Sequence, residues 1–319
     1  GHFDEVSVCH ACKRPLGKAE IVNNVYRIEN VATNPAERIT ANDEERQRQG
    51  FDLQTTFQWA IRDGVVDSRD GSAEDEHGEV AKLSYGPGAR ITRLNKGLRR
   101  RADKTELGFW IDPVSGYWKK NNDEDDQPPD PTVAPTQLIV PSVRDHKNAL
   151  LVLPTGTGLT EKTLATVQHA LLRGVEAVFQ LEEGEVLAEP MPSRDARNGF
   201  LLYEATEGGA GVLTRIVSEA DSLARVARQA LQVMHFDVSD EGPLPDSAAA
   251  LVDVADTECV AGCYRCLLSY YNQPDHELID RRDEDAKSVL LRLAAASTRG
   301  LLSGSAKAPV TLLLPLRHP

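Results

Sequence analysis

Hydrophobic and polar positions alternate over residues 53–59, where Leu53, Thr55, Phe57 and Trp59 share one face, and this period of two predicts a strand. IVNNVYRI, at 21–28, has strand-like composition. AKLSYGPGARITRLNKGLRRR reads as strand, turn and strand, with Pro87-Gly88 as the punctuation. LGFWIDPVSGYWKK reads as a hairpin whose turn contains Pro113 and Gly116. After NNDEDDQPPDPTVAPT, acidic and proline-rich without a period, the pattern changes. Leu164, Val167, Leu171 and Leu172 recur at helical spacing, with Thr160 as N-cap and Gly174 as the stop. GFLLYEA is a short apolar strand that runs through Gly208-Gly209-Ala-Gly211 into a helix near VLTRIVSEA. SLARVARQALQVM and DEDAKSVLLRLAAAS add two more helices.

These patterns predict a mixed α+β chain, strand-rich at first and α/β afterwards. The divisions are an N-terminal Cys-containing segment (1–16), a strand-rich part with a basic segment (17–120), an acidic linker (121–136) and an α/β part (137–319). At 319 residues the chain is long enough for two ordinary domains. With 40% hydrophobic and 27% charged residues it has a globular composition, and no apolar run approaches the roughly 18 residues of a membrane span. Without an initiator Met, Gly1-His2 reads as a remnant of cloning and the chain as a piece of a larger protein. No signal peptide is visible, and a cytoplasmic location is expected.

A net charge of −13 argues against a uniformly basic nucleic-acid binder. The distribution is uneven, however. ARITRLNKGLRRRADK carries Arg90, Arg93, Lys96, Arg99, Arg100, Arg101 and Lys104 against the single acid Asp103. Clustered arginines suit phosphate, and a solvated strand end is the plain alternative. Trp110, Tyr117 and Trp118 follow; core packing is expected of the tryptophans. LPTGTGLTEKT only evokes a phosphate loop, because Leu159 follows Gly158 where Lys is required, so it reads as a turn capping a helix. The GGAGV segment lacks GxGxxG spacing and reads as tight strand-to-helix packing rather than an anion site.

The sharpest signal is ECVAGCYRCLLSYYNQPDH at 258–276. Cys259, Cys263 and Cys266 crowd three soft ligands into eight residues, a spacing that points to a structural zinc ion. Gly262 is expected to permit the tight knuckle turn. Cys9-x-x-Cys12 is a second pair; five cysteines in all are too few for a disulfide framework.

The block C-x2-G-C-x2-C-L-L-S-Y-Y-N-Q-x-D-H-x-L-x-D-R resembles the zinc-binding (MrfA-type) domain of large superfamily-2 DNA helicases, as in mitomycin-repair and DISARM-like phage-defence helicases. LYEATEGGAGVLTRI, the RLNKGLRRR…GFWIDPVSGYW block and VPSVRDHKNALLV extend the resemblance over residues 50–285. It implies an upstream helicase core and an accessory role here. Mitomycin-repair relatives carry a fourth Cys where this chain has Asn272, a poor zinc ligand. His276 is the preferred replacement, giving Cys3His, and the Cys9/Cys12 pair is the rival. If His276 completes the site, Cys9 and Cys12 belong to a second one.

The expected function is nucleic-acid engagement beside a helicase motor, in DNA repair or phage defence, on single-stranded or junction DNA. Arg93, Lys96, Arg99, Arg100 and Arg101 would hold phosphates, and Tyr270 and Tyr271 would stack a base, with core packing favoured for at least one of the two. Two alternatives stand: a docking module for a defence or repair partner, and, more weakly, a metal-dependent nuclease using Glu204, Glu207, Asp145 and His146. The fragment itself is expected to have no catalytic residues and no ATPase activity.

Overall fold

The computed structural model of the chain describes residues 22–28, 50–101, 103–119, 136–206, 209 and 211–300. Cys9, Cys12, Glu207, Gly208 and residues 121–135 of the acidic linker lie outside the described residues. The first strands are β1 (Val25–Arg27), β2 (Phe51–Gln58), β3 (Ala60–Arg62), β4 (Val65–Asp67), β5 (Arg69–Asp75) and β6 (Gly78–Leu98). Then come β7 (Phe109–Ile111), β8 (Trp118–Lys119), β9 (Gln137–Pro154), helix α1 (Glu161–Phe179), β10 (Val186–Met191) and β11 (Gly199–Glu204). Helices α2 (Val212–Ser218), α3 (Ser222–Val233) and α4 (Glu284–Ala295) follow, and β12 (Ser297–Arg299) is the last element among the described residues. The architecture is mixed α+β, as expected from the sequence.

Two compact units divide these residues: one takes those up to Thr56 and those of 91–145, the other 57–90 and 146 onward. In the first, β7 pairs antiparallel with both β8 and β9, placing Trp110 opposite Lys119 and Leu138. The predicted hairpin is therefore present. Its aromatics are not a core: Tyr117 and Trp118 are exposed, and Trp110 is half-buried with its indole donating to Glu106 at 2.7 Å. Strand β1 runs parallel to β9, Val25 opposite Val140.

In the second unit the strand order is β10-β11-β9-β6-β5-β12. The β5–β6, β9–β11, β10–β11 and β5–β12 pairs are antiparallel. Pro87-Gly88 does not break β6. The strand continues through it, and Gly88 takes a left-handed φ of +62° with its N–H on the Asn148 side-chain oxygen at 3.2 Å. A side chain at Gly86 would begin 2.5 Å from the Trp59 ring, so that glycine is there for packing.

Helix α1 starts where the sequence placed it, with the Thr160 hydroxyl accepting from the Thr163 N–H at 3.1 Å. It does not stop at Gly174 but runs on to Phe179 and is capped by Gln180 in the left-handed region. Gly174 instead lets two helices approach, since a Cβ there would sit 2.3 Å from the Val226 carbonyl oxygen of α3. Leu83, Leu150, Phe200 and Leu202 of the sheet pack with Leu171, Ile216, Val226, Leu231 and Leu290 of the helices. Cys259, Cys266 and Leu267 belong to the same core. Fully burying a side chain such as Leu267 stabilises by about 1.5–3 kcal/mol, so the cysteine loop is anchored by its own apolar residues.

Candidate metal centre

Helix α3 closes with two crossed hydrogen bonds: the Phe236 N–H donates to the Leu231 carbonyl at 3.0 Å, and the His235 N–H to Gln232 at 2.8 Å. This closing motif places His235 in the left-handed region, at φ +65°. Glycine is the usual residue there, because a side chain costs roughly 1–2 kcal/mol. The following residues form a bridge: Val254 N–H donates to the His235 carbonyl at 2.9 Å, and Asp237 N–H to Val252 at 2.9 Å. The half-buried imidazole is thereby aimed at the cysteine loop.

That loop folds into a knuckle. The Cys263 carbonyl accepts from Cys266 N–H and Leu268 N–H, both at 3.0 Å, while Cys263 N–H donates to the Cys266 sulfur at 3.0 Å. Gly262 does not adopt a positive φ, and a Cβ there would make only ordinary contact with Leu268, so the turn does not depend on it.

Four donor atoms converge, from His235, Cys259, Cys263 and Cys266, all within 4.8 Å of one another. The sulfurs of Cys259 and Cys266 are 3.7 Å apart, those of Cys263 and Cys266 3.5 Å, and His235 Nε2 is 3.5 Å from the Cys263 sulfur. Tetrahedral zinc, with bonds of about 2.3 Å to sulfur and about 2.0 Å to nitrogen, sets sulfurs about 3.8 Å apart and nitrogen about 3.5 Å from sulfur. The donor set and its spacing fit zinc.

The protonation of the thiols argues the same way. Burial pushes Cys266 up to about 12 and also raises Cys259. Burial acts to raise Cys263 too, but hydrogen bonds from His235 and the neighbouring thiols outweigh it and bring Cys263 down to about 6. The surroundings thus favour the thiolate most at Cys263, and a bound cation would supply the charge that the other two require.

His276 is not in this group. Its Nε2 lies 3.0 Å from the Ser269 carbonyl oxygen and 2.9 Å from the Asn272 side-chain oxygen. Asn272 is itself committed, donating to the Leu267 carbonyl at 2.7 Å and accepting from Ser269 N–H at 2.8 Å. The segment after the third cysteine closes on itself, and the fourth donor comes from 24 residues before the first cysteine. Nothing in the spacing pointed there; a histidine just past a helix end, where glycine is expected, was the available signal. The neighbouring acids Asp275 and Asp280 bond away from His276. Asp275 is buried on His169 Nε2 at 2.9 Å and Arg197 at 3.0 Å, and Asp280 pairs with Lys162 and Arg282.

Residues 167–267 match the family model of the MrfA Zn-binding domain. All four donors fall inside the matched segment, and Asn272 and His276 fall outside it. This segment is an MrfA-type zinc-binding domain. The match covers under a third of the chain. No curated protein matches the chain. Among solved structures, the crystal structure of the DUF1998 helicase MrfA bound to DNA is similar at a TM-score of 0.38 and 14% identity, over 76% of this chain. The chain spans about a quarter of that protein (25%).

Around the zinc-binding domain's knuckle the tyrosines are exposed. Tyr264, between two ligands, is 56% exposed, Tyr270 55% and Tyr271 69%, so neither of the expected stacking residues is in the core. The Tyr264 and Tyr270 rings are 5.7 Å apart, and His276 meets Tyr264 edge-on at 6.0 Å.

The basic segment of the first unit divides in two. Arg101, with its side chain only 15% exposed, donates to Asp52 at 3.2 Å and to the Leu98 and Lys104 carbonyls; Lys96 is 3.5 Å from Asp52. Lys104 donates to the Arg99 carbonyl. These side chains hold the strand end together. Arg93, Arg99 and Arg100 are exposed, Arg99 with its Nε on the Phe51 carbonyl at 3.1 Å.

Of the carboxylates of the nuclease alternative, Glu204 is engaged within the fold, and Glu207 lies outside the described residues. Glu204 is buried, accepting from Leu213 N–H at 3.1 Å and Asn148 at 2.9 Å. Gly209 is required beside it, because a Cβ there would fall 1.5 Å from its oxygen. Among the described residues no helix is long and apolar enough to cross a membrane.

Proposed function

We propose that the chain is an accessory part of a DNA helicase, in which the zinc-binding domain holds an exposed aromatic surface against single-stranded or junction DNA. The observation that carries this is Tyr264: it lies between Cys263 and Cys266, yet is more than half exposed and paired with the Tyr270 ring. A ring fixed by two ligands of one ion stays presented without a core behind it, and bases of any sequence stack on such rings. Tyr271 extends the surface. Zinc in this reading sets the loop geometry and performs no chemistry. Arg93, Arg99 and Arg100 supply exposed cations for phosphates in the first unit. A thiolate site of this kind belongs to a reducing compartment such as the cytoplasm. The parent protein's part in repair or phage defence follows the same resemblance.

The second reading, docking of a protein partner, draws on exposed Val252, Val254 and Val260 beside the centre. Fluorescence anisotropy with labelled single strands separates the two. Salt-sensitive binding that falls when Tyr264, Tyr270 and Tyr271 are replaced by Ala supports DNA engagement. Binding that is absent, or indifferent to all three replacements, leaves the docking reading.

A further inference from the structure

Arg281 lies in no ligand position, yet it touches both chain segments that carry the metal donors. It is 3% exposed. Its Nε donates to the carbonyl of Cys259 at 3.2 Å, a ligand residue. Its Nη1 donates to the carbonyl of Met234 at 3.2 Å, the residue before His235. Its guanidinium also lies over the ring of Phe236, the residue after His235, 5.6 Å from the centroid. The remaining donors form a fork on Asp253, with Nη1 on Oδ1 at 2.9 Å and Nη2 on Oδ2 at 2.7 Å. Asp253 sits in the bridging segment, where its neighbours Val252 and Val254 bond the backbone of Asp237 and His235. Its carboxyl is held below the ordinary range first by the Arg281 hydrogen bonds, so the pair stays ionised through neutral pH.

The consequence is geometric. His235 comes from a helix end and Cys259 from a distant loop, and no ladder of hydrogen bonds runs directly between those two residues in the described structure. A planar fork with five donors fixes two carbonyls and a carboxylate at once, which lysine's single ammonium does not. The backbone at His235 is strained, so without such a hold the turn has an incentive to relax away from the thiols. We propose that Arg281 and Asp253 are a positioning pair that holds the His235 turn and the Cys259 loop at ligand distance, so that all four donors are assembled before an ion binds. The proposal rests on the zinc reading of the centre and adds to it the residues that preorganise the site.

The test uses the full chain, loaded with zinc or with cobalt(II) alone. Zinc affinity is read by competition with a chromophoric chelator, and the cobalt d–d bands report whether the imidazole remains in a tetrahedral set. R281K is expected to weaken zinc binding 10–100-fold, the range for residues that orient ligands, and to reduce the tetrahedral cobalt bands. In an H235A background the same R281K change should cost clearly less than in the parent, because one of the two segments it holds no longer carries a ligand. D253N, at a half-exposed position, should repeat the pattern even if R281K does not fold. An equal loss in both backgrounds, or unchanged affinity in R281K and D253N, overturns the proposal while leaving the zinc site standing. Failure of the unmodified chain to bind zinc would overturn both.

Discussion

Replacing His235 by Gly sets two effects of opposite sign against each other. The left-handed conformation at φ +65° costs a histidine roughly 1–2 kcal/mol that glycine does not pay. Glycine returns part of that through the greater freedom of the unfolded chain. The metal-free protein should therefore gain about 1 kcal/mol. With zinc present the balance reverses. Structural zinc contributes about 10–16 kcal/mol in total, and a quarter of it, assigned to one of four ligands, is about 3 kcal/mol, or about 100-fold in affinity. The variant should thus be more stable than the parent in EDTA and less stable in zinc, by about 2 kcal/mol. Urea denaturation with and without zinc, monitored by far-ultraviolet circular dichroism, reads both signs. H276G is the companion: it should lose local hydrogen bonds to Ser269 and Asn272 but keep its zinc. Should H235G bind zinc as tightly as the parent while H276G releases it, the ligand assignment argued from the donor geometry is wrong.

Proton release gives a second check: with Cys263 near 6 and the other two thiols raised, about two protons should leave per zinc between pH 7.5 and 8.5, seen as a slope near 2 in log affinity against pH. A slope near zero would mean the thiols do not ligate. For DNA, the R99A/R100A double variant, still folded, should lower the log–log salt slope by about 0.7 for each phosphate it no longer neutralises. R101A should instead destabilise the first unit, because its guanidinium is spent on Asp52, and unchanged melting of R101A would contradict that assignment. D275N should cost about 3–5 kcal/mol by leaving Arg197 buried without its counter-charge. Burial acts to raise the Asp275 carboxyl, but His169, Arg197 and Arg194 together hold it well below the ordinary range. Its folded value is depressed, so its contribution is present above about pH 4 and is lost as pH falls below that; acid titration of D275N should lack this component of the parent's curve.

The sequence carried whatever depends on near neighbours. The start of α1 was legible because Thr160 and Thr163 are three residues apart, and the cysteine knuckle because its three thiols lie within eight residues. The short strand β11 and helices α2, α3 and α4 followed from apolar runs and helical spacing. Tertiary structure decided the rest. Gly174 looked like a helix stop and is where α1 and α3 touch, a fact held in the partner helix and not in α1. Pro87-Gly88 looked like a turn, yet the strand continues, with the Gly88 N–H satisfied by a side chain from β9. Arg101 and Lys96 looked like phosphate ligands equal to Arg99 and Arg100; Asp52, far off in sequence, separated them. The fourth metal donor is the clearest case. Local spacing favoured His276, but that side chain finds hydrogen bonds within its own loop, while the fold carries His235 to the thiols. A metal site needs its donors close in space, and a chain meets that need with residues near in sequence only when nothing between them offers those residues a better partner.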